Sequence, residues 1–160
     1  GNGSGSLADR VVQDGRQRAF QLVRPTEGAG GRPVLVTQRD VRELQLAKGA
    51  IRAGIEILMH ELGLEPEDVK HVYLAGAFGN YIRPESALTI GLIPRFPRAE
   101  IVPVGNAAGS GAKLALLSRR ALQEARDLSR RVEYLELSCR ADFQERFAEA
   151  MIFSPVDTPH

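Results

Sequence analysis

The sequence predicts an α/β fold in which helices cover a sheet. Three observations support this prediction: short β-prone runs alternate with helical patterns, two of these runs are continuously apolar, and one helical pattern is long with clear ends. The order strand, strand, helix, strand, helix, strand, helix, strand, helix is typical of a layered α/β domain. A chain of 160 residues has room for one ordinary domain, which we expect residues 7–160 to form.

The first six residues differ in composition from the rest of the chain. They read Gly-Asn-Gly-Ser-Gly-Ser, the composition of a flexible linker or an expression scar. We therefore expect residues 1–6 to lie outside the fold and the chain to be a fragment of a longer protein. A native phosphate-binding turn is the alternative, although no strand precedes it to aim such a turn.

The first elements are two short strands and a long helix. Residues 19–23 and 34–37 are β-prone and are separated by glycines and prolines, which predicts a hairpin or a pair of strands. Residues 37–40 resemble a capping box, with Asp40 in the position usually held by Glu or Gln. The helix that follows carries apolar residues three, four and seven apart and ends at Gly63.

The later elements alternate in the same way. Residues 72–75 are apolar at consecutive positions, which is typical of a strand buried on both faces of a parallel sheet. A second buried strand is predicted at 101–104 and an edge strand at 131–137. Helices are predicted at 84–88, 112–128 and 141–151.

Composition excludes several classes of function. With 21 basic and 20 acidic residues the formal net charge is +1, so neither nucleic acid nor a membrane surface is an expected partner. No apolar run approaches the roughly 18 residues that a membrane span needs, and no secretory leader is apparent. The single cysteine, Cys139, excludes an internal disulfide, a cysteine-based zinc site and an iron–sulfur cluster held by this chain alone. We expect a reducing, cytoplasmic setting and no metal site.

Two glycine-rich turns carry the possible chemistry. Residues 74–80 are a strand ending in a glycine turn, and residues 104–113 are a strand, a small-residue turn and a helix start. Glycines let backbone N–H groups approach a phosphate, and a helix N-terminus adds partial positive charge. Ligands of α/β sheets bind at the carboxyl ends of strands, where both turns fall. The structural alternative is that small residues let a helix pack closely on the sheet.

Neither turn has a recognised nucleotide-binding spacing. Lys113 follows Ala112 and precedes Leu114, so the second turn is not a Walker loop, and neither turn reads Gly-x-Gly-x-x-Gly. No Ser/His/Asp or Cys/His set is apparent. The sequence therefore predicts no catalytic residue.

Longer strings of residues resemble a known family. Residues 36–51, 73–82 and 102–109, together with the Tyr134-Leu135-Glu136-Leu137-Ser138 tail, closely resemble the C-terminal domain of reductive activators of corrinoid proteins. The resemblance covers about residues 34–153. It implies a ribonuclease H-like, actin-like ATPase lobe with a mixed sheet flanked by helices, from the superfamily that includes sugar kinases and chaperone ATPases.

The resemblance also implies a function. Such activators use ATP to return an inactive Co(II) corrinoid protein to the methyl-accepting Co(I) state. Their nucleotide lies between two lobes, and the turns of this chain would border its ribose and α-phosphate. Two residues of the long helix would contact adenine and ribose by looser analogy, with a solvated helix face as the alternative. The nucleotide-binding residues implied are Gly76, Ala77, Phe78, Gly79, Asn80, Gly105, Asn106, Gly109, Gln45 and Lys48.

The departures from the family pattern limit these expectations. The ferredoxin domain with its iron–sulfur cluster and the first lobe, which should bind Mg²⁺ and the γ-phosphate, are expected in the intact parent only. The expected partners are therefore that N-terminal lobe and a corrinoid protein or corrinoid-dependent methyltransferase. The isolated chain is expected to hold no cofactor tightly and to be inactive. An activator of another low-potential enzyme, such as a 2-hydroxyacyl-CoA dehydratase, and a non-enzymatic docking module are the alternatives.

Overall fold

The computed structural model describes residues 7–76 and 81–153, and leaves the side chain of Ala29 undescribed. The described residues form two compact units, one within 1–47 and the other within 48–160. Within the described ranges, no helix is both long enough and apolar enough to cross a membrane.

The first unit contains a three-stranded antiparallel sheet. Its strands are β1 (Val11–Asp14), β2 (Gln17–Val23) and β3 (Val34–Thr37), in that spatial order. The predicted pairing of the second and third strands is confirmed, with Ala19 opposite Thr37. The strand β1 was not predicted; its short run has only two apolar residues, and Gly15, with φ 58°, turns it into β2.

The long helix α1 spans Gln38–Leu62, and its predicted start is confirmed. The Thr37 N–H and hydroxyl donate to the Asp40 carboxylate at 2.8 and 2.7 Å, and the Asp40 N–H donates to the Thr37 hydroxyl oxygen at 3.2 Å. These bonds, the backbone one first, hold the pKa of Asp40 below its ordinary value. The helix ends as predicted, at Gly63 with φ 61°.

The second unit contains a parallel pair of strands, β4 (His71–Ala75) and β5 (Glu100–Gly105). The predicted parallel arrangement is confirmed. The prediction that β4 is buried on both faces is wrong. Val72 and Leu74 are half-buried and pack against a core formed by Ala87, Leu92 and Ile93, whereas Tyr73 on the other face is 62% exposed. An apolar run alone does not reveal which face of a strand is covered.

The described residues of this unit also form the helices α2 (Pro84–Thr89), α3 (Ala107–Leu117), α4 (Arg119–Ser129) and α5 (Ala141–Ala150). The prediction of a single helix over 112–128 is wrong, because the helix is interrupted at Ser118. Its backbone is extended (φ −138°, ψ 119°), and its hydroxyl oxygen accepts the Ala121 N–H at 3.2 Å. Serine favours such N-caps because its side chain satisfies a helix N–H that lacks an intrahelical partner.

The predicted strand at 131–137 is also wrong. Residues 132–137 have no regular secondary structure, and local hydrogen bonds hold them instead. The Tyr134 hydroxyl donates to the Glu136 carboxylate, and the Ser138 N–H donates to the same group at 3.1 Å. Local side-chain bonds of this kind compete with the ladder hydrogen bonds of a sheet.

Candidate functional site

The first residues of the two glycine-rich segments lie at one edge of the parallel sheet. In the register of β4 and β5, Ala75 pairs with Gly105, so the carboxyl ends of both strands lie side by side. Gly76 follows Ala75 directly, and Asn106 follows Gly105. This edge is the usual ligand-binding position in a parallel sheet flanked by helices.

The first residues of both turns have left-handed backbones. Gly76 has φ 71° and Gly105 has φ 59°, a region that residues with a Cβ rarely adopt. Among the described residues, a Cβ built on Gly76 meets no atom within 4 Å. The backbone conformation, rather than crowding by these residues, therefore requires glycine there.

The second turn is fixed by a helix cap. The Gly109 N–H donates to Asn106 Oδ1 at 2.9 Å, which caps α3 at its first turn. A Cβ on Gly109 would lie 2.6 Å from Asn106 Nδ2, so the cap requires glycine at that position. The cap aims the positive end of an 11-residue helix at the edge where β4 and β5 end.

Four of the predicted residues, Ala77, Phe78, Gly79 and Asn80, lie outside the described residues. The structure therefore brings together Gly76, Gly105, Asn106 and Gly109 of the predicted set. The remaining two, Gln45 and Lys48, lie on α1 in different units.

Lys48 is buried among elements of the second unit. It is 3% exposed, so its alternative interpretation as part of a solvated helix face is wrong. Its ammonium donates to the Ala150 and Ile152 carbonyls at 2.5 and 2.6 Å and lies 5.1 Å from the centre of the Phe153 ring. Burial, and secondarily the charge of Arg52, lowers its pKa. Gln45 is half-buried on α1.

An apolar cavity lies against the end of β4. Its volume is about 330 Å³, within the range of small-molecule pockets. Ala75, the residue before Gly76, lines it together with Ile51 and Ile55 of α1. Helical periodicity in the sequence marks these isoleucines only as core positions and does not show that they line a cavity.

The same fold and strings of residues occur in known proteins. Residues 2–159 match the family model described as the C-terminal domain of RACo, the ASKHA domain. The chain belongs to this family. Its fold is accordingly that of an actin-like ATPase lobe.

Two curated relatives of the chain are named as proteins that activate or reduce corrinoid proteins. The corrinoid activation enzyme RamQ of Eubacterium limosum is 36% identical over 142 residues, which are 89% of this chain and 24% of that protein. The [Co(II) methylated amine-specific corrinoid protein] reductase of Methanosarcina barkeri is 31% identical over 102 residues, 64% of this chain and 19% of that protein.

The chain is also similar to a solved structure. The reductive activator for corrinoid,iron-sulfur protein has a TM-score of 0.77 and 32% identity over 91% of this chain and 23% of that chain. The chain thus spans about a quarter, or less, of the length of these family relatives.

The described part of the candidate site contains no cluster of metal-ligating side chains. Across residues 7–76 and 81–153, no three His, Cys, Asp or Glu side chains lie close enough to hold a metal ion. At the sheet edge, the first turn of α3 supplies backbone N–H groups, and Asn106 supplies its side-chain amide. Such groups suit an anionic ligand such as a phosphate rather than a cation.

Proposed function

We propose that this chain is the C-terminal ATPase lobe of a reductive activator and that ATP binds where β4 and β5 end. The juxtaposition of Gly76 and Gly105 carries this proposal, because it combines open backbone at one strand end with a capped helix N-terminus at the next. Family membership supplies the class of ligand. The adjacent apolar cavity can take a planar base.

The proposed reaction is the one-electron reduction of Co(II) corrinoid to Co(I) on a separate corrinoid protein. The names of the relatives support this substrate over that of a 2-hydroxyacyl-CoA dehydratase activator. The electron would come from an iron–sulfur domain of the intact protein, and Mg²⁺ would be held by its other lobe. Nucleotide assists such an uphill reduction only if it binds two conformations of the complex with different affinities.

The chain's own residues have a binding and orienting role in this proposal. The α3 N-terminus and the backbone of the two turns would bind phosphate oxygens, since the unpaired N–H groups of a first helical turn carry partial positive charge. Asn106 would keep these groups aligned through its bond to the Gly109 N–H. Gly76 would allow the ribose and α-phosphate to approach the backbone.

The substitution Gly76→Val in the full-length protein tests this proposal. A β-branched residue resists the positive φ at this position and places methyl groups in the open space beside the turn. We expect a loss of ATP affinity of at least about tenfold, with a parallel loss of ATP-stimulated corrinoid reduction. Both are measured on the folded fraction of the variant, by titration and by the cobalt absorption spectrum.

Gly63→Val is the matched control. Gly63 also has a positive φ, 61°, and open space around it, but it ends α1 instead of a strand. The two variants should therefore lose similar stability, while ATP affinity falls only in Gly76→Val. Equal ATP affinity in both variants would return Gly76 to a purely structural role.

A further inference from the structure

The helix α4 combines a dense basic surface with exposed leucines. Residues 119–131 hold five arginines against two acidic residues, in a chain whose formal net charge is only +1. Leu122 and Leu128 on the same helix are 38% and 58% exposed. The positive charge is thus concentrated on one element of the second unit.

Three of these arginines share one stripe of the helix. Arg126 lies 7 residues after Arg119, and Arg130 lies 11 residues after it. At 3.6 residues per turn and 1.5 Å per residue, the three fall on one side of the helix over a length of about 16 Å. Leu122 lies three residues after Arg119 and four before Arg126, so it borders the same stripe. We call Arg119, Arg126, Arg130 and Leu122 the α4 stripe.

The charges of the α4 stripe are largely unneutralised. Among the described residues, the side chains of Arg119 and Arg126 have no hydrogen-bond or ion-pair partner. Arg130 has only a 3.8 Å contact with Asp127 and is 76% exposed. The acidic Glu124 pairs with Arg120 on a neighbouring face at 2.8 Å. Within this chain, the guanidinium groups of the stripe therefore lack a closely bonded carboxylate.

We propose that the α4 stripe docks a carboxylate-rich protein surface with an apolar centre, and that this surface belongs to the corrinoid protein. Arginine beside an apolar residue is the composition typical of protein–protein interfaces. Complementary charge accelerates encounter between two proteins and fixes their orientation. The identity of the partner rests on the proposed function, whereas its charge and apolar character follow from the stripe.

The test uses the full-length protein and the corrinoid protein isolated from the same organism. The variant R119Q/R126Q/R130Q keeps helix propensity, because Arg and Gln are similar helix formers. We expect its affinity for the corrinoid protein to fall about tenfold or more at low ionic strength, and the difference to shrink near 0.5 M salt, where such charges are screened. Unchanged affinity across the salt series would overturn the proposal.

The matched control is R16Q/R18Q/R32Q, which removes the same charge from exposed arginines of the first unit. Near-wild-type affinity in this control supports a specific surface, whereas an equal loss would mean that only net charge matters and would overturn the α4 stripe. Binding of the wild-type protein to anionic phosphatidylserine vesicles that is lost in the α4 variant, with corrinoid-protein binding unchanged, would also overturn it.

Corrinoid reduction is measured in parallel, so that the two proposals can fail separately. A wild-type protein that binds the corrinoid protein without reducing it would contradict the proposed function, and loss of that binding in the α4 variant would still support the docking surface. A wild-type protein that reduces the corrinoid, together with an α4 variant whose KM and salt dependence are unchanged, would contradict the docking surface alone.

Discussion

Glycine has two distinct roles at the sheet edge. Glycine is needed at positions 76 and 105 because the backbone there has a positive φ. Gly109 lies inside α3, and its Cβ would collide with the Asn106 side chain that caps this helix. The sequence shows the glycines but does not distinguish these causes, because φ and the position of a neighbouring side chain are three-dimensional properties.

The Gly109→Ala substitution separates the capping role from helix propensity. The added Cβ would lie 2.6 Å from Asn106 Nδ2, so the cap must move and the chain should lose about 1 kcal/mol of stability, the usual value of an N-cap. Equilibrium denaturant unfolding measures this loss. In an Asn106→Ala background the cap is already gone, so Gly109→Ala should stabilise the chain there through its higher helix propensity.

Gly111→Ala is the control on the same helix. A Cβ at Gly111 meets no atom within 4 Å, so alanine should stabilise α3 by up to about 1 kcal/mol through its higher helix propensity. If both substitutions stabilised the chain equally, the Asn106 cap would not be what requires glycine at position 109.

Among the elements, α1 and α5 form an antiparallel pair held at both ends. Arg140, at the N-cap of α5, bonds to Glu61 near the end of α1 at 2.7 Å. At the C-terminal end of α5, Lys48 from the middle of α1 donates to the Ala150 and Ile152 carbonyls. A Cβ on Gly49 would lie 2.9 Å from Met151 Cγ, so the two helices approach closely there. The Lys48 ammonium thereby satisfies carbonyls at the C-terminal end of α5.

Lys48→Met tests this contact. Methionine keeps the unbranched stem of the side chain but donates no hydrogen bond, so two carbonyls near the end of α5 lose their donor. We expect a loss of about 1–3 kcal/mol in stability and faster amide exchange within residues 141–150. Denaturant unfolding and hydrogen-exchange mass spectrometry measure the two effects.

Lys70→Met is the matched control for this substitution. The Lys70 side chain is exposed and has no hydrogen-bond partner among the described residues, so its stability should change by no more than about 0.5 kcal/mol. Unaltered exchange in α5 of the Lys48→Met variant would show that apolar packing of α5, rather than the ammonium, holds this helix on α1.

The elements differ in how well the sequence predicts them. The start and end of α1 follow from local chemistry at Thr37, Asp40 and Gly63, which the sequence displays directly. The break at Ser118 and the absence of a strand at 131–137 were missed, because each depends on a choice between competing local hydrogen bonds. The proximity of Gly76 and Gly105 was anticipated only as a consequence of parallel pairing. The burial of Lys48 was not predicted, although Lys48 lies four residues after Leu44 and three before Ile51, on the apolar stripe of α1.

For the whole molecule, the decisive property is how much of a nucleotide cleft this chain supplies. The family relatives are about four times as long. In the function proposed above, Gly76 and Gly105 form one side of a nucleotide cleft that a second lobe completes. The described residues contain no cluster of acidic side chains that could hold Mg²⁺. Positioning of the γ-phosphate and its metal ion is a large part of catalysis in phosphoryl transfer.

We therefore expect the isolated chain to bind ATP weakly and to show no hydrolysis above background. By the function proposed above, we expect the full-length protein to hydrolyse ATP in the presence of Mg²⁺ and corrinoid protein. The physical reason is that half a cleft can contact the adenosine side of the nucleotide but cannot stabilise charge on the transferring phosphoryl group. Phosphate release from Mg²⁺-ATP is measured for the isolated chain, for its Gly76→Val variant and for the full-length protein. Turnover by the isolated chain that Gly76→Val abolishes would contradict this expectation, because it would place the catalytic groups within this lobe.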